Sequence, residues 1–161
     1  MTPAKKGPAA GGASGAAPPK GGRGRHHVRF GWWALLTFLT LGIALELMHA
    51  FKWPGLLAPE QETRRFLWTL AHAHGTLLSL VNIAFGLSAA HAGDWKAPAA
   101  GTASICLRTA VVLMPLGFFA GGFFVYGGDP GLGILLVPVG ALALFVGVFL
   151  AAREVHRATA E

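Results

Sequence analysis

The sequence predicts an all-α integral membrane protein, with four spanning helices in an antiparallel up-and-down bundle after a disordered N-terminal tail. Composition indicates a membrane, because 53% of the 161 residues are hydrophobic, 12% are charged and the mean hydropathy is +0.54. Soluble domains carry about twice that share of charge. Length is the second observation, since each of four apolar runs has at least the ~20 residues that cross ~30 Å of hydrocarbon. The short connectors between them favour antiparallel neighbours.

The first 29 residues are predicted to form a disordered, basic cytoplasmic tail. Residues 1–24 are mostly Ala, Gly and Pro with scattered Lys and Arg, a composition that buries too little apolar surface to offset the entropy of ordering. A basic cluster directly before the first apolar run is expected to touch anionic lipid head groups. This cluster contains Arg23, Arg25, His26, His27 and Arg29.

The predicted spans cover residues 31–51, 66–90, 103–126 and 132–152, and a short tail follows at residues 153–161. Pro54 and Gly55 are expected to stop the first helix, because proline cannot donate a backbone hydrogen bond and glycine favours turns. Gly127 and Gly128 predict a tight turn between the third and fourth spans. Pro138 is expected to interrupt the fourth span.

The positions of Lys and Arg predict the orientation in a cell inner membrane. With the N-terminus inside, ten of the 13 basic residues fall inside, and only Lys52, Arg64 and Arg65 fall outside. Positive charge is enriched in cytoplasmic loops, so both termini are expected to be cytoplasmic. The net charge of +6 does not predict a nucleic-acid partner, because the basic residues flank apolar runs and do not share a face.

Small residues recur at helical spacing and predict close helix packing, which spanning helices need because lipid gives them no hydrophobic drive to associate. The stripe on the second span consists of Gly75, Ser79, Asn82, Gly86 and Ala89. Gly117 and Gly121 are four apart on the third span, and Gly133, Gly140 and Gly147 recur every seven residues on the fourth. These contacts could lie within the chain or between copies of it. Asn82 is expected to bond across to a neighbouring helix.

Polar residues near one end of the first two spans carry the functional hypothesis. Glu46 and His49 are three residues apart and share a helical face. At the helical rise, Glu46 lies ~8 Å and His72 ~9 Å below the outer ends of their spans, so they are expected to converge in the outer leaflet. His74 is rotated by about 200° from His72. It is the second-rank candidate and is expected to face another helix, a second cofactor or lipid.

Three functional interpretations and one structural interpretation remain open at this point. Glu46, His49 and His72 supply three ligands for a divalent metal. Alternatively, His49 and His72 are axial ligands of a haem b between two helices. In the third, the carboxylate and an imidazole act as acid and base on a quinone or another small apolar substrate from the lipid. In the structural interpretation, a protonated Glu46 bonds to a histidine and only holds two helices together.

The stretch Ala71, His72, Ala73, His74, Gly75 resembles the Ala-His-x-Glu-Gly stretch of small four-helix membrane proteins of the hydroxylaminobenzene mutase type. His74 stands where that family has Glu, so the resemblance carries over His72 and Gly75 alone. It implies an intramolecular isomerase that acts on aromatic hydroxylamines.

The preferred hypothesis is therefore an inner-membrane protein with a redox-associated Glu/His site for haem, metal or quinone. One alternative is a non-catalytic accessory or structural subunit whose Gly-rich helices pack against a larger membrane complex. The other alternative is a membrane-bound isomerase. The expected partners are the lipid bilayer, other membrane proteins or further copies of this chain, and no catalytic residue is assigned.

Overall fold

A computed structural model describes residues 22–91, 95 and 97–160, and most of the predicted tail lies outside these residues. The described residues are mostly helical and contain no β-strand, which confirms the all-α prediction. Its helices are α1 (Gly22–Ala50), α2 (Pro54–Leu57), α3 (Glu62–His91), α4 (Ala97–Phe123) and α5 (Leu136–Thr159). Two 3₁₀ turns, Pro59–Gln61 and Leu132–Leu135, precede α3 and α5.

Four of these segments are long and apolar enough to cross a membrane: Gly24–Ala50, Pro59–His91, Pro98–Phe123 and Leu132–Thr159. This confirms the four apolar helices predicted from composition. Within the most apolar stretch of each, 44% of the residues are buried in α4 but only 17% in α1 and 11% in α5. Helices α3 and α4 therefore form the centre of the protein, and α1 and α5 flank them with large exposed apolar faces.

The boundaries of the first helix differ from the prediction at both ends. Residues 22–29 are helical, so they are not part of a disordered tail. The helix ends at Ala50 because Lys52 adopts a left-handed conformation with φ of 49°. The N–H groups of Lys52 and Trp53 donate to the carbonyls of His49 (3.1 Å) and Met48 (2.9 Å), which is the Schellman pattern of a helix C-terminus. The predicted stop at Pro54 is wrong, because this proline begins α2.

The connection between α4 and α5 contains the predicted glycine turn. Gly127 and Gly128 have positive φ values of 58° and 93°, and Tyr126 and Asp129 exchange two backbone hydrogen bonds of 3.0 and 2.9 Å. Pro138 does not interrupt a helix, since it lies in the first turn of α5. A missing backbone N–H costs nothing there, because the first N–H groups of a helix have no partner inside it.

Consecutive long helices pack in antiparallel pairs, α1 on α3, α3 on α4 and α4 on α5. The residue pairs that meet show the direction: Gly24 lies against Gly86, whereas Gly42, near the other end of α1, lies against His72. Gly122 near the end of α4 lies against Trp68 near the start of α3, and Gly147 of α5 lies against Leu107 of α4, so the other two pairs also run antiparallel. Among the described helices, α1 and α5 do not pack extensively against each other, so the bundle is open on that side.

The small-residue stripe of α3 is the surface on which α1 lies. A Cβ atom added to Gly86 would lie 2.7 Å from the carbonyl oxygen of Gly24, and one added to Gly75 would collide with the ring of Phe38. The spaced glycines of α5 likewise allow α5 to pack closely on α4. A Cβ on Gly140 would lie 2.9 Å from the backbone nitrogen of Met114. Both glycine patterns thus serve close packing within the chain.

A buried polar network joins three helices near the start of α1. His27 is 0% exposed, its Nδ1–H donates to Asn82 Oδ1 at 3.0 Å, and its Nε2 lies 2.7 Å from the Ser104 hydroxyl. Asn82 Nδ2 donates to the carbonyls of Leu78 (3.0 Å) and Leu107 (3.3 Å). The predicted interhelical bond of Asn82 is confirmed. His27 is not a head-group residue, in contrast to the prediction, because its side chain turns into the bundle.

We expect Asn82→Leu to lower the free energy of unfolding by about 1–2 kcal/mol, because it removes the bonds to His27 and to the Leu107 carbonyl. The measurement is unfolding in mixed micelles followed by far-UV circular dichroism. Thr40→Val is the matched control, since this exposed hydroxyl bonds only to the Leu36 carbonyl of its own helix. Equal losses in the two variants would show that the network does not hold the helices together.

Candidate functional site

A polar cleft lies between α1 and α3 at the end where residues 51–61 connect the two helices. Its volume is about 510 Å³. The three first-rank residues from the sequence, Glu46, His49 and His72, all line it, together with Arg65 and Thr69. We call this the α1–α3 cleft. Leu39, Ile43, Leu45 and Leu47 supply much of its apolar wall.

His72 has the most constrained position in the α1–α3 cleft. Its Nδ1–H donates to the backbone carbonyl of Phe38 on α1 at 2.8 Å, and because a carbonyl can only accept, this bond fixes the proton on Nδ1. The ring lies against Gly42, where any Cβ atom would collide with it. Nε2 has no hydrogen-bond partner among the described residues. In the neutral ring it is therefore an acceptor that remains available to a ligand.

Glu46 and His49 enter the cleft from the last turns of α1, and both side chains are exposed. The Nδ1 of His49 lies 3.4 Å from the Leu45 carbonyl, four residues earlier, which is a long contact. This geometry again leaves Nε2 to a ligand. The helical spacing of three thus places a carboxylate and an imidazole on one side of the cleft, as predicted.

Arg65 is a cleft residue that the sequence analysis counted only as a topology signal. It lies in the first turns of α3, and its Nη1 contacts the Leu56 carbonyl at 3.5 Å. Arg65 and His72 are seven residues apart and so share a face of α3, which is the signal that could have found it. Among the described residues the one ion pair joins Glu154 and Arg157, so Glu46 and Arg65 face the cleft without being paired to each other.

His74 lies on the other side of α3. Its ring centroid is 4.8 Å from that of Phe118 on α4, and its Nδ1 donates to the Leu70 carbonyl at 2.9 Å. His72 and His74 therefore face different helices, as the helical phase predicted. His74 does not line the α1–α3 cleft.

The α1–α3 cleft does not contain an assembled metal centre. Within the described part of the chain, no three His, Cys, Asp or Glu side chains are grouped closely enough to hold a metal ion. Glu46, His49 and His72 are thus neighbours in one cleft without forming a ligand cluster. Together with Arg65 they offer a carboxylate, two imidazoles and a guanidinium, which is a set of donors and acceptors suited to a small polar head group.

We expect Gly42→Val to lower the melting temperature, because the new side chain collides with the imidazole of His72 and breaks its bond to the Phe38 carbonyl. The penalty should become clearly smaller when the same substitution is made in a His72→Ala background, since the ring is then gone. Thermal unfolding in detergent of the two single variants and the double variant measures this coupling.

Gly101→Val is the control for the cost of valine in a helix, because no atom lies within 4 Å of a Cβ at Gly101. An equal penalty for Gly42→Val in both backgrounds would contradict the placement of the His72 ring.

Comparisons with family models, with curated proteins and with solved structures find no match to this chain.

Proposed function

We propose that this chain is an inner-membrane protein whose α1–α3 cleft binds the head group of a lipid-soluble quinone or quinol in a redox-associated role. The observation that carries the proposal is that Glu46, His49, Arg65 and His72, from two helices, line one cleft. A volume of about 510 Å³ is in the ordinary range of small-molecule sites, ~300–1,000 Å³.

The donors and acceptors of the α1–α3 cleft match this class of ligand. Arg65 is a permanent donor, which suits a carbonyl oxygen. The Glu46 carboxylate and the His72 Nε2 accept hydrogen bonds and so suit a hydroxyl group. A carboxylate or an imidazole within hydrogen-bond reach is also suited to accept a proton from a quinol hydroxyl. The apolar wall formed by Leu39 and Ile43 suits the ring.

Haem b on His49 and His72 is the second candidate. The observation that favours it is that each histidine has its Nδ1 directed at a backbone carbonyl, at 3.4 and 2.8 Å. Such outer bonds orient the imidazole and leave Nε2 for iron. The divalent-metal alternative has less support, because the described residues offer no group of three ligands.

The other two alternatives draw on different features. An accessory role is supported by the exposed apolar faces of α1 and α5, where Ile43 and Phe145 are 61% and 70% exposed. Surrounding lipid accounts for the same faces. The isomerase alternative rests on the stretch around His72. Within that stretch Ala71 is buried in the core and Gly75 makes room for Phe38, so packing accounts for Gly75, one of the two residues that the resemblance carries over.

We expect Glu46→Gln and His72→Gln each to weaken binding of a short-chain benzoquinone or its quinol by about tenfold, since each removes a hydrogen bond that involves a charged or oriented group. Isothermal titration calorimetry on the detergent-solubilised protein measures the affinity. His74→Gln is the matched control, because this histidine is on the same helix but outside the cleft. The affinity of this variant for the quinone should equal that of the unmodified protein.

An absorption spectrum of the purified protein separates the candidates. A Soret band that is lost in both His49→Ala and His72→Ala would replace the quinone proposal with haem. A colourless protein that binds no quinone and co-purifies with stable partners would contradict both and favour the accessory role.

We further propose that both termini are cytoplasmic, which places the α1–α3 cleft towards the outer face. In a Cys106→Ser background, we expect Glu60→Cys in the exposed connector to react with a membrane-impermeant maleimide in intact cells. Ala158→Cys near the end of α5 should react only after permeabilisation. Labelling with the opposite pattern would reverse the orientation and place the cleft at the cytoplasmic face.

A further inference from the structure

A basic cavity lies between α1 and α4, at the opposite end of the bundle from the α1–α3 cleft. Its volume is about 300 Å³, and it is lined by His26, Arg29, Phe30, Trp33 and Arg108. Arg108 comes from α4 and the others come from α1, so the two helices build the cavity together. Among the described residues, no carboxylate lines it, and Arg29 and Arg108 give it two permanent positive charges.

Among the described residues, no side chain or backbone group accepts a hydrogen bond from the Nε of Arg108. Its guanidinium carbon lies 5.6 Å from the ring centroid of Phe30, a cation–π distance. Its Nε is buried and makes no hydrogen bond, which is costly for a charged donor. Phosphate oxygens are acceptors that the planar guanidinium binds well. Arg29, on the facing helix, adds a second permanent positive charge to the same cavity.

Phe30 also begins an apolar groove of about 460 Å³ between α1 and α4. Its walls include Ala34, Phe38, Val112, Leu116 and Phe119. The Thr37 hydroxyl in this groove is already bonded to the Trp33 carbonyl at 3.0 Å, so the groove offers little polarity. From Phe30 to Leu41 it follows α1 for about 16 Å at 1.5 Å per residue. This is close to half of the ~30 Å hydrocarbon core of a bilayer.

We propose that the basic cavity and the groove together form a binding site for one anionic phospholipid. The phosphate lies between Arg29 and Arg108, where it accepts hydrogen bonds from their guanidinium groups, and one acyl chain lies in the groove along α1. Phe30 favours a lipid over a soluble phosphate, because it lines both the charged cavity and the apolar groove. The groove is about as long as one leaflet is deep. The exposed indole of Trp33, 64% accessible, is typical of the membrane interface.

The experiment is native mass spectrometry of the purified protein in mild detergent, titrated with phosphatidylglycerol or phosphatidylcholine of identical acyl chains. We expect one phosphatidylglycerol to bind at least about tenfold more tightly than phosphatidylcholine. Arg108→Gln should weaken phosphatidylglycerol binding about five- to tenfold, consistent with the contribution of one basic residue near a lipid head group. Inorganic phosphate should not displace the lipid, because it has no chain for the groove.

Two further variants separate a built site from general attraction. Arg25→Gln removes one positive charge from an exposed position on α1 outside the cavity, so phosphatidylglycerol binding should change by less than about twofold. Leu116→Trp fills the groove from a half-exposed position, at 48% exposure, and should weaken binding while leaving the head-group residues in place. Arg108→Lys keeps the charge and should bind with intermediate affinity, which covers the case in which Arg108→Gln does not fold.

Four results would overturn the proposal. Equal affinity for the two lipids, or an equal loss in Arg25→Gln and Arg108→Gln, would show attraction by net charge alone. Binding of phosphatidylglycerol that Leu116→Trp leaves unchanged would show that the groove holds no acyl chain. A dimer that Leu116→Trp dissociates, with no effect of either lipid, would assign the groove to a second copy of the chain.

Discussion

The close approach of α1 to α3 is the constraint on which the rest of the structure depends. The two helices meet where one contributes a glycine or another small residue, as at Gly24 with Gly86 and at Phe38 with Gly75. In lipid, such contacts must come from van der Waals packing, because apolar side chains gain little by leaving hydrocarbon for each other. Shifting α1 by one residue would bring side chains onto these glycine positions. The packing therefore fixes the register as well as the distance.

That register places polar groups at both ends of the helix pair, and the two ends differ in how fully these groups are hydrogen-bonded. Near the start of α1, His27 meets Asn82 and Ser104, and both ring nitrogens have partners in a buried network. At the other end, His72 reaches the Phe38 carbonyl but keeps Nε2 without a partner, beside Glu46. A satisfied buried network holds helices together. A cleft in which a polar atom such as His72 Nε2 has no partner among the described residues is the better candidate for ligand binding.

Hydropathy and small-residue spacing were sufficient to predict the four helices, the packing stripe and the interhelical bond of Asn82, because each is a property of one segment and its period. The similar distances of Glu46 and His72 from the ends of their spans also predicted that they share a cleft. The reason is that the end of one helix lies beside the start of the next in an antiparallel pair. The sequence could not show that His27 turns inward while its neighbours are exposed, because this depends on Ser104 from a distant helix. Likewise, Lys52 ends α1 in a left-handed conformation that glycine normally adopts. A lysine at this position gives no indication of that conformation.

The central claim is the register of α1 on α3, and a disulfide cross-link tests it most directly. In a Cys106→Ser background, Phe38→Cys with Gly75→Cys should form a cross-link on mild oxidation, because a Cβ at Gly75 would lie against the Phe38 side chain and disulfides need Cβ atoms ~3.5–4.5 Å apart. Phe38→Cys with Leu77→Cys should not, since Leu77 is 59% exposed on another face of α3. Cross-linking of the second pair but not the first would contradict this register, and with it the position of the cleft.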